Sequence, residues 1–300
     1  MRRKLLTLPL VFAAACTVEA PREPAPEPIP EPTHLGGCIL LSPDGDVPAD
    51  LYAASAIERT DAYPPFTKRL VVRGLTLVAR DDASDGFMEK VATAIRETFP
   101  RDESLDLDSQ AEILRNHFRY RAVIPVPLGR DMSFLDDDEA LRAHLTGENS
   151  VCDIIMEGVD GQVMEVVEHI LHYVTDIGLH YAFPEEWAIS ETSALAVAMT
   201  KAIDEGYYDI SGYTDLVDEN ERHRILLQEF AYWFVSTAWD LQEAYGPNEV
   251  EWTIRSPEEL KAKLPEFYAV YERTAARTMA APSLQTLRDI GPTRAEEAGN

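Results

Sequence analysis

The stretch Glu165-Val-Val-Glu168-His169-Ile-Leu-His172-Tyr-Val-Thr-Asp176 restricts the fold more than any other part of this sequence. Helical spacing puts Glu165, Glu168, His169, His172 and Asp176 on one face and Val166, Val167, Ile170, Leu171 and Val174 on the other. The apolar face needs a core to pack against. The polar face is either a solvated surface or a set of metal ligands, because imidazole and carboxylate are donors that divalent ions accept. Two pairs at i and i+4 could each point at one ion: Glu165 with His169, and Glu168 with His172. Glu168 would be the neighbouring base for the first pair and His169 for the second. Asp176 and the nearby His180 are expected either to orient a ligand or to sit on the surface.

A second apolar helix is expected over Arg224 to Ala244, the longest in the chain, carrying Ile225, Leu226, Phe230, Trp233, Phe234, Ala238 and Leu241. Glu229 interrupts it, since Leu226 and Trp233 lie on its own face. A carboxylate in such company needs a partner: either an ion pair with a neighbouring helix or a metal, for which Glu229 would be the third ligand.

The rest of the chain supplies a small sheet and more helix. Leu70 to Ala79 reads as one strand with Gly74 in its middle, followed by a helix with Phe87, Val91, Ala94, Ile95 and Phe99 on one face. Ser84 or Asp85 caps that helix, and Pro100 stops it. A helix over Ser109 to His117 precedes a strand over Phe118 to Pro127, whose prolines favour a sheet edge. Asp136-Asp-Asp-Glu139 is either a calcium cluster or a helix start, and it lacks the central glycine of a calcium loop. Helix is expected over Leu135 to Leu145, and a short strand over Val151 to Met156. Further helices are expected over Ser193 to Glu205, capped by Ser190 or Thr192, and from Pro257 to about Ala281. Residues 283–300 read as a weakly ordered tail. The fold class that follows is α+β, with a small mixed sheet and a mainly helical half that carries the 165–176 helix, over residues 36–282.

The N-terminus reads as an address. Arg2, Arg3 and Lys4 precede the apolar run Leu5 to Phe12, and Ala13-Ala14-Ala15 precede Cys16, so residues 1–15 are expected to be a signal peptide. Small residues ahead of a cysteine resemble the bacterial lipobox, which implies a lipid on Cys16 and a periplasmic or cell-surface location; cleavage after Ala15 without lipid is the alternative. Pro21 to Thr33 alternates proline with glutamate and reads as an extended linker within residues 16–35. The chain carries a net charge of −26, near −29 without the signal, which disfavours nucleic acid and anionic membrane surfaces as partners. A lipid would be the only membrane contact. Cys38 and Cys152 are then an even pair, expected to form a disulfide in an oxidising compartment or to stay as two buried thiols.

These stretches together resemble the zincin metallopeptidases of the anthrax lethal factor type. The similarity covers roughly residues 69–239: Val72-Arg-Gly-Leu-Thr-Leu-Val-Ala79 leading into a helix, then the metal helix, then Glu229-Phe230-Ala231. The metal motif is altered, with Glu168-His169-Ile-Leu-His172 where that family has His-Glu-x-x-His. Carried over by position, the resemblance implies Glu168, His172 and Glu229 as zinc ligands and His169 where the catalytic glutamate stands. Tyr213 is the nearest candidate for the tyrosine that assists the oxyanion. The activity implied is hydrolysis of peptide bonds in a peptide or protein substrate; the alternative is a catalytically inactive surface lipoprotein acting as a binding or structural module.

Overall fold

Alternating burial along Phe66-Thr-Lys-Arg-Leu-Val-Val gives the sheet its centre. In this computed structural model, which describes residues 38–247 and 250–297, β1 (Glu58–Tyr63), β2 (Phe66–Val72) and β3 (Leu75–Ala79) run antiparallel in succession. β4 (Val123–Val126) pairs with β3 in parallel, so the sheet is mixed and β4 lies at its edge. The edge position fits Pro125, which has no N–H to give to a further strand. The expected signal peptide, Cys16 and the Pro/Glu linker lie outside the described residues.

Residues 70–79 are a hairpin and not one strand. Arg73 and Gly74 take φ of 53° and 82°, the two-residue turn whose twist matches that of paired strands. Arg73 holds this conformation by donating from Nε to the Phe99 carbonyl at 3.0 Å. Gly74 is obligatory here, because a Cβ would come within 2.7 Å of His117 Cβ.

α1 (Asp85–Thr98) starts at the Ser84 cap, and α2 (Leu107–Arg119) follows. The acid run starts no calcium loop: α3 (Ser133–Asp136) ends in it, and Asp138 caps α4 (Glu139–Glu148). Val151 to Met156 is not a strand. It follows β4 through a few bonds only, such as Ile155 N–H to the Pro125 carbonyl at 2.9 Å. The Cys38–Cys152 disulfide ties this stretch to the start of the described chain.

α5 (Gln162–Tyr173) widens into a π-helical turn over Val174–Leu179 and runs on as α6 (His180–Ala182), so the helix passes through Gly178 without stopping there. Gly178 lets the π turn lie against α2, where a Cβ would stand 2.7 Å from Ile113 Cγ2. After α7 (Pro184–Trp187) comes α8 (Ala194–Asp204), capped by Ser193, not by Ser190 or Thr192. α9 (Glu219–Ala238) begins before Arg224 and stops before Ala244, with Asp240 at φ 59° just beyond it. α10 (Pro257–Lys263) and α11 (Pro265–Arg273) pack behind. The expected weak tail instead forms α12 (Leu284–Ile290), which buries Leu287 and Ile290 and packs on α1 and α5, followed by α13 (Arg294–Glu297). Among the described residues, no helix is long and apolar enough to cross a membrane.

Candidate metal centre

α5 and α9 pack against each other through their apolar faces, with Val166, Val167, Ile170, Leu227, Phe230 and Phe234 all buried. That packing brings Glu229 of α9 to the polar edge of α5. Ligand atoms of Glu168, His172 and Glu229 lie within 4.8 Å of one another. His172 Nε2 stands 3.6 Å from Glu229 Oε2, too far for a good hydrogen bond, and it has no hydrogen-bond partner although the ring is fully buried.

The other ring nitrogen is engaged. His172 Nδ1 lies 2.8 Å from Asp153 Oδ2. Gln228, one residue before Glu229, places its Nε2 2.8 Å from the same Nδ1 and donates to Asp153 Oδ2 at 3.3 Å. Arg224 Nη1 donates to Gln228 Oε1 at 2.7 Å and stands 3.5 Å from Asp176 Oδ2. In the neutral ring, a proton on Nδ1 goes to Asp153 while the Gln228 amide turns its own hydrogen to Asp153 Oδ2, and the Nε2 lone pair then faces Glu168 and Glu229. A carboxylate on one ring nitrogen with an unpaired second nitrogen is the arrangement that prepares a histidine to bind a metal. One imidazole and two carboxylates form a donor set suited to a divalent ion, so the residues fit one.

The charges around this point are strongly coupled. Burial and then the Glu229 charge push Glu168 up to about 8, with His169 and His172 pulling it back. Burial would lower His172, but Glu229 and Asp153 outweigh it and raise the imidazole well above its ordinary value. Burial would raise Asp153, yet the His172 hydrogen bond and the His169 charge hold it at about 2. Without an ion, the site shares protons among carboxylates that cannot all be charged.

Not all expected site residues join the set. Glu165 and His169 do not form a second site with Glu229. Glu165 Oε1 accepts the Met156 N–H at 2.8 Å, and His169 sits among carboxylates, Nδ1 at 3.2 Å from Glu165 and Nε2 at 3.6 Å from Asp153 and 3.7 Å from Glu168. Another group of possible donors, Asp153, His169 and His172, uses the ring that Asp153 already holds through Nδ1. A third, Cys38, Cys152 and Asp176, is spent by the disulfide. Asp176 and His180 are fully buried, so neither is a surface residue. Burial raises Asp176 to about 7 against the pull of Arg224. His180 Nδ1 accepts the Ile189 N–H at 2.9 Å.

Beside the ligand atoms opens a cavity of about 520 Å³, lined in part by Glu165, Glu168, Glu229, Tyr213, Tyr232 and Trp233. Glu168 keeps 28% of its side chain exposed and Glu229 16%, whereas His172 has none. The two carboxylates therefore meet the cavity and the imidazole backs them. Tyr213 reaches this space, but its hydroxyl donates to Glu251 Oε1 at 2.7 Å, and that oxygen also accepts Trp233 Nε1–H at 3.0 Å.

Neither family models nor curated proteins nor solved structures provide a match to the chain. Sequence patterning missed Asp153 and Gln228. Asp153 lies outside any helix or strand, and its one signal is that it follows the cysteine that pins its segment. The one signal for Gln228 is its i+4 spacing from Arg224, which donates to its Oε1.

Proposed function

We propose that this protein is an exported, lipid-anchored, zincin-like metallohydrolase that cleaves peptide bonds, with a zinc ion held by Glu168, His172 and Glu229. One observation carries the proposal: a fully buried imidazole has Nδ1 fixed by Asp153 and Nε2 without a partner beside two carboxylates. When bound, the ion would polarise a carbonyl and lower the pKa of a water. Two carboxylate ligands leave such a centre close to neutral, which makes that lowering smaller than two imidazoles would give. Asp153 keeps the His172 ring in one tautomer, and Gln228 and Arg224 keep Asp153 in place. Glu165 lines the cavity and stands against His169, so its carboxylate would be the group to accept a proton from a water in that cavity. Trp233 and the tyrosines wall the cavity against bulk water. Export is supported by the Cys38–Cys152 bond, since disulfides persist in oxidising compartments. The strong negative charge supports a peptide or protein partner over a nucleic acid.

A second reading rests on His169. At the position where a base is needed, this ring is held by Glu165 and Asp153, and it does not line the cavity. That arrangement supports a metal-bearing surface module without catalysis. Metal content of protein purified in zinc-replete buffer tests both readings. About one ion per chain is expected in the wild type and none in His172→Ala or Glu229→Ala, with a labelled casein cleaved only by the wild type. Wild-type protein free of metal would sink the metallohydrolase. A stoichiometric ion with no cleavage would establish the binding module.

A further inference from the structure

Asp176, in the π turn over Val174–Leu179, is a fully buried carboxylate set against the Cys38–Cys152 bond. Its Oδ2 stands 3.8 Å from Cys38 Sγ and 3.5 Å from Arg224 Nη1, while its Oδ1 is buried without a hydrogen-bond partner among the described residues. A bonded pair of sulfurs has no hydrogen to offer, so the disulfide does nothing for that oxygen. Burying a carboxylate in this condition is costly. Once the bond is open, the same neighbours become two thiols converging on one carboxylate, with ligand atoms of all three residues within 4.8 Å of one another.

We infer that Cys38, Cys152 and Asp176 form a second metal site, open only in the reduced protein, that takes a thiophilic divalent ion of the zinc and cadmium kind. The site is separate from Glu168, His172 and Glu229 and does not depend on the hydrolase proposed above. Opening it takes two electrons and two protons from a dithiol: the S–S bond breaks, each cysteine sulfur gains a hydrogen, and the dithiol closes to its own disulfide. Both cysteines are half-buried, so a small dithiol reaches them. The backbone keeps the two residues together after the bond has gone, because Val151 N–H donates to the Cys38 carbonyl at 3.1 Å and Cys152 N–H to the Tyr173 hydroxyl at 3.0 Å. The incoming ion displaces the two thiol protons. Two thiolates and a carboxylate around a divalent ion leave one negative charge, which the Arg224 guanidinium offsets from beside Asp176. Thiolate donors favour zinc or cadmium over calcium or magnesium, and three protein ligands leave the fourth tetrahedral position to water.

His172→Ala removes the imidazole of the other centre and makes the test clean. The variant is reduced with dithiothreitol, desalted under nitrogen and titrated with cadmium. About one ion per chain is expected, with the ultraviolet charge-transfer band of a cadmium thiolate; the oxidised variant should bind none. Adding Cys152→Ser should abolish both ion and band, and adding Asp176→Asn should weaken binding by more than about tenfold. X-ray absorption of the zinc-loaded, reduced His172→Ala protein needs no change at Asp176 and should count two sulfurs together with oxygen donors. A reduced variant without cadmium, a bound ion without sulfur, or four sulfurs drawn from two chains overturns the site. So does unchanged affinity in a folded Asp176→Asn variant, or a reduced chain that unfolds before the ion is taken up.

Discussion

His172 and His117 are both fully buried, yet their surroundings set them opposite tasks. Around His172 stand Asp153, Glu168 and Glu229, and the imidazole is raised well above its ordinary value even though burial alone would lower it. Around His117 the backbone carbonyls of Arg73 and Tyr173 take the place of carboxylates. Its Nδ1 meets the Arg73 carbonyl at 3.1 Å, its ring edge packs on Gly178, and burial lowers it to about 4. Burial does not make a histidine a candidate ligand. A second nitrogen left open toward carboxylates does, while His117 fills space between the hairpin turn and the π turn.

The widest separation between the two histidines should come from metal binding. His172→Ala should abolish zinc uptake measured by mass spectrometry, whereas His117→Gln should keep one ion per chain if it folds. If His117→Gln also loses zinc at full foldedness, the division between the two sites is broken.

The next largest effect is in pH. The folded value of His117, about 4, lies below the ordinary 6.5, so the unfolded chain takes up a proton first as the pH falls. Stability contributed by neutral His117 is complete above about 6.5 and is lost as pH drops toward 4, worth about 3 kcal/mol over that window. Asp176, raised to about 7 in the folded chain, has the reverse slope, losing stability as pH rises from 4 to 7. The contribution of His117 should therefore be read as the difference between wild-type and His117→Gln denaturation curves from pH 4 to 7. A difference that does not change with pH would remove this contrast.

On the other side of the comparison, Asp153→Asn keeps the side-chain shape and removes the charge that fixes His172. Zinc affinity, from competition with a chelator, should weaken by about 10- to 100-fold with little change in melting temperature. The smallest effect belongs to the packing side. Gly178→Ala should cost about 1–3 kcal/mol in chemical denaturation, because its methyl must displace Ile113 or His117, and zinc affinity should stay near wild type.

The candidate ligand face of α5 could be read from spacing because i and i+4 are neighbours on any helix, and Glu229 stood out because its own face is apolar. The pairing of the two helices then selected Glu168 with His172 over Glu165 with His169. Spacing could not make that choice, since it depends on which turn of α5 faces α9. Asp153 was hidden because it belongs to an irregular segment placed by β4, by the disulfide, and by the Tyr173 hydroxyl, which accepts the N–H of Cys152 at 3.0 Å and of Asp153 at 3.1 Å. The hairpin at Arg73-Gly74 was read as one strand because Arg at positive φ is an uncommon turn residue, held there by tertiary contacts.

The π turn at Val174–Leu179 has a consequence for how such a chain can change in length. A π turn fits one residue more than an α turn of the same rise, so losing one residue there could restore an ordinary helix. The candidate ligands Glu168 and His172 lie ahead of it and would keep their directions, while everything from His180 onward would swing by about 100°. Tyr181, stacked on Tyr120 at 4.1 Å, would bear the strain first. The interval between Glu168 and His172 is therefore a fixed measure of this protein, and the interval between His172 and His180 is one that an insertion or deletion could alter without touching the ligand pair.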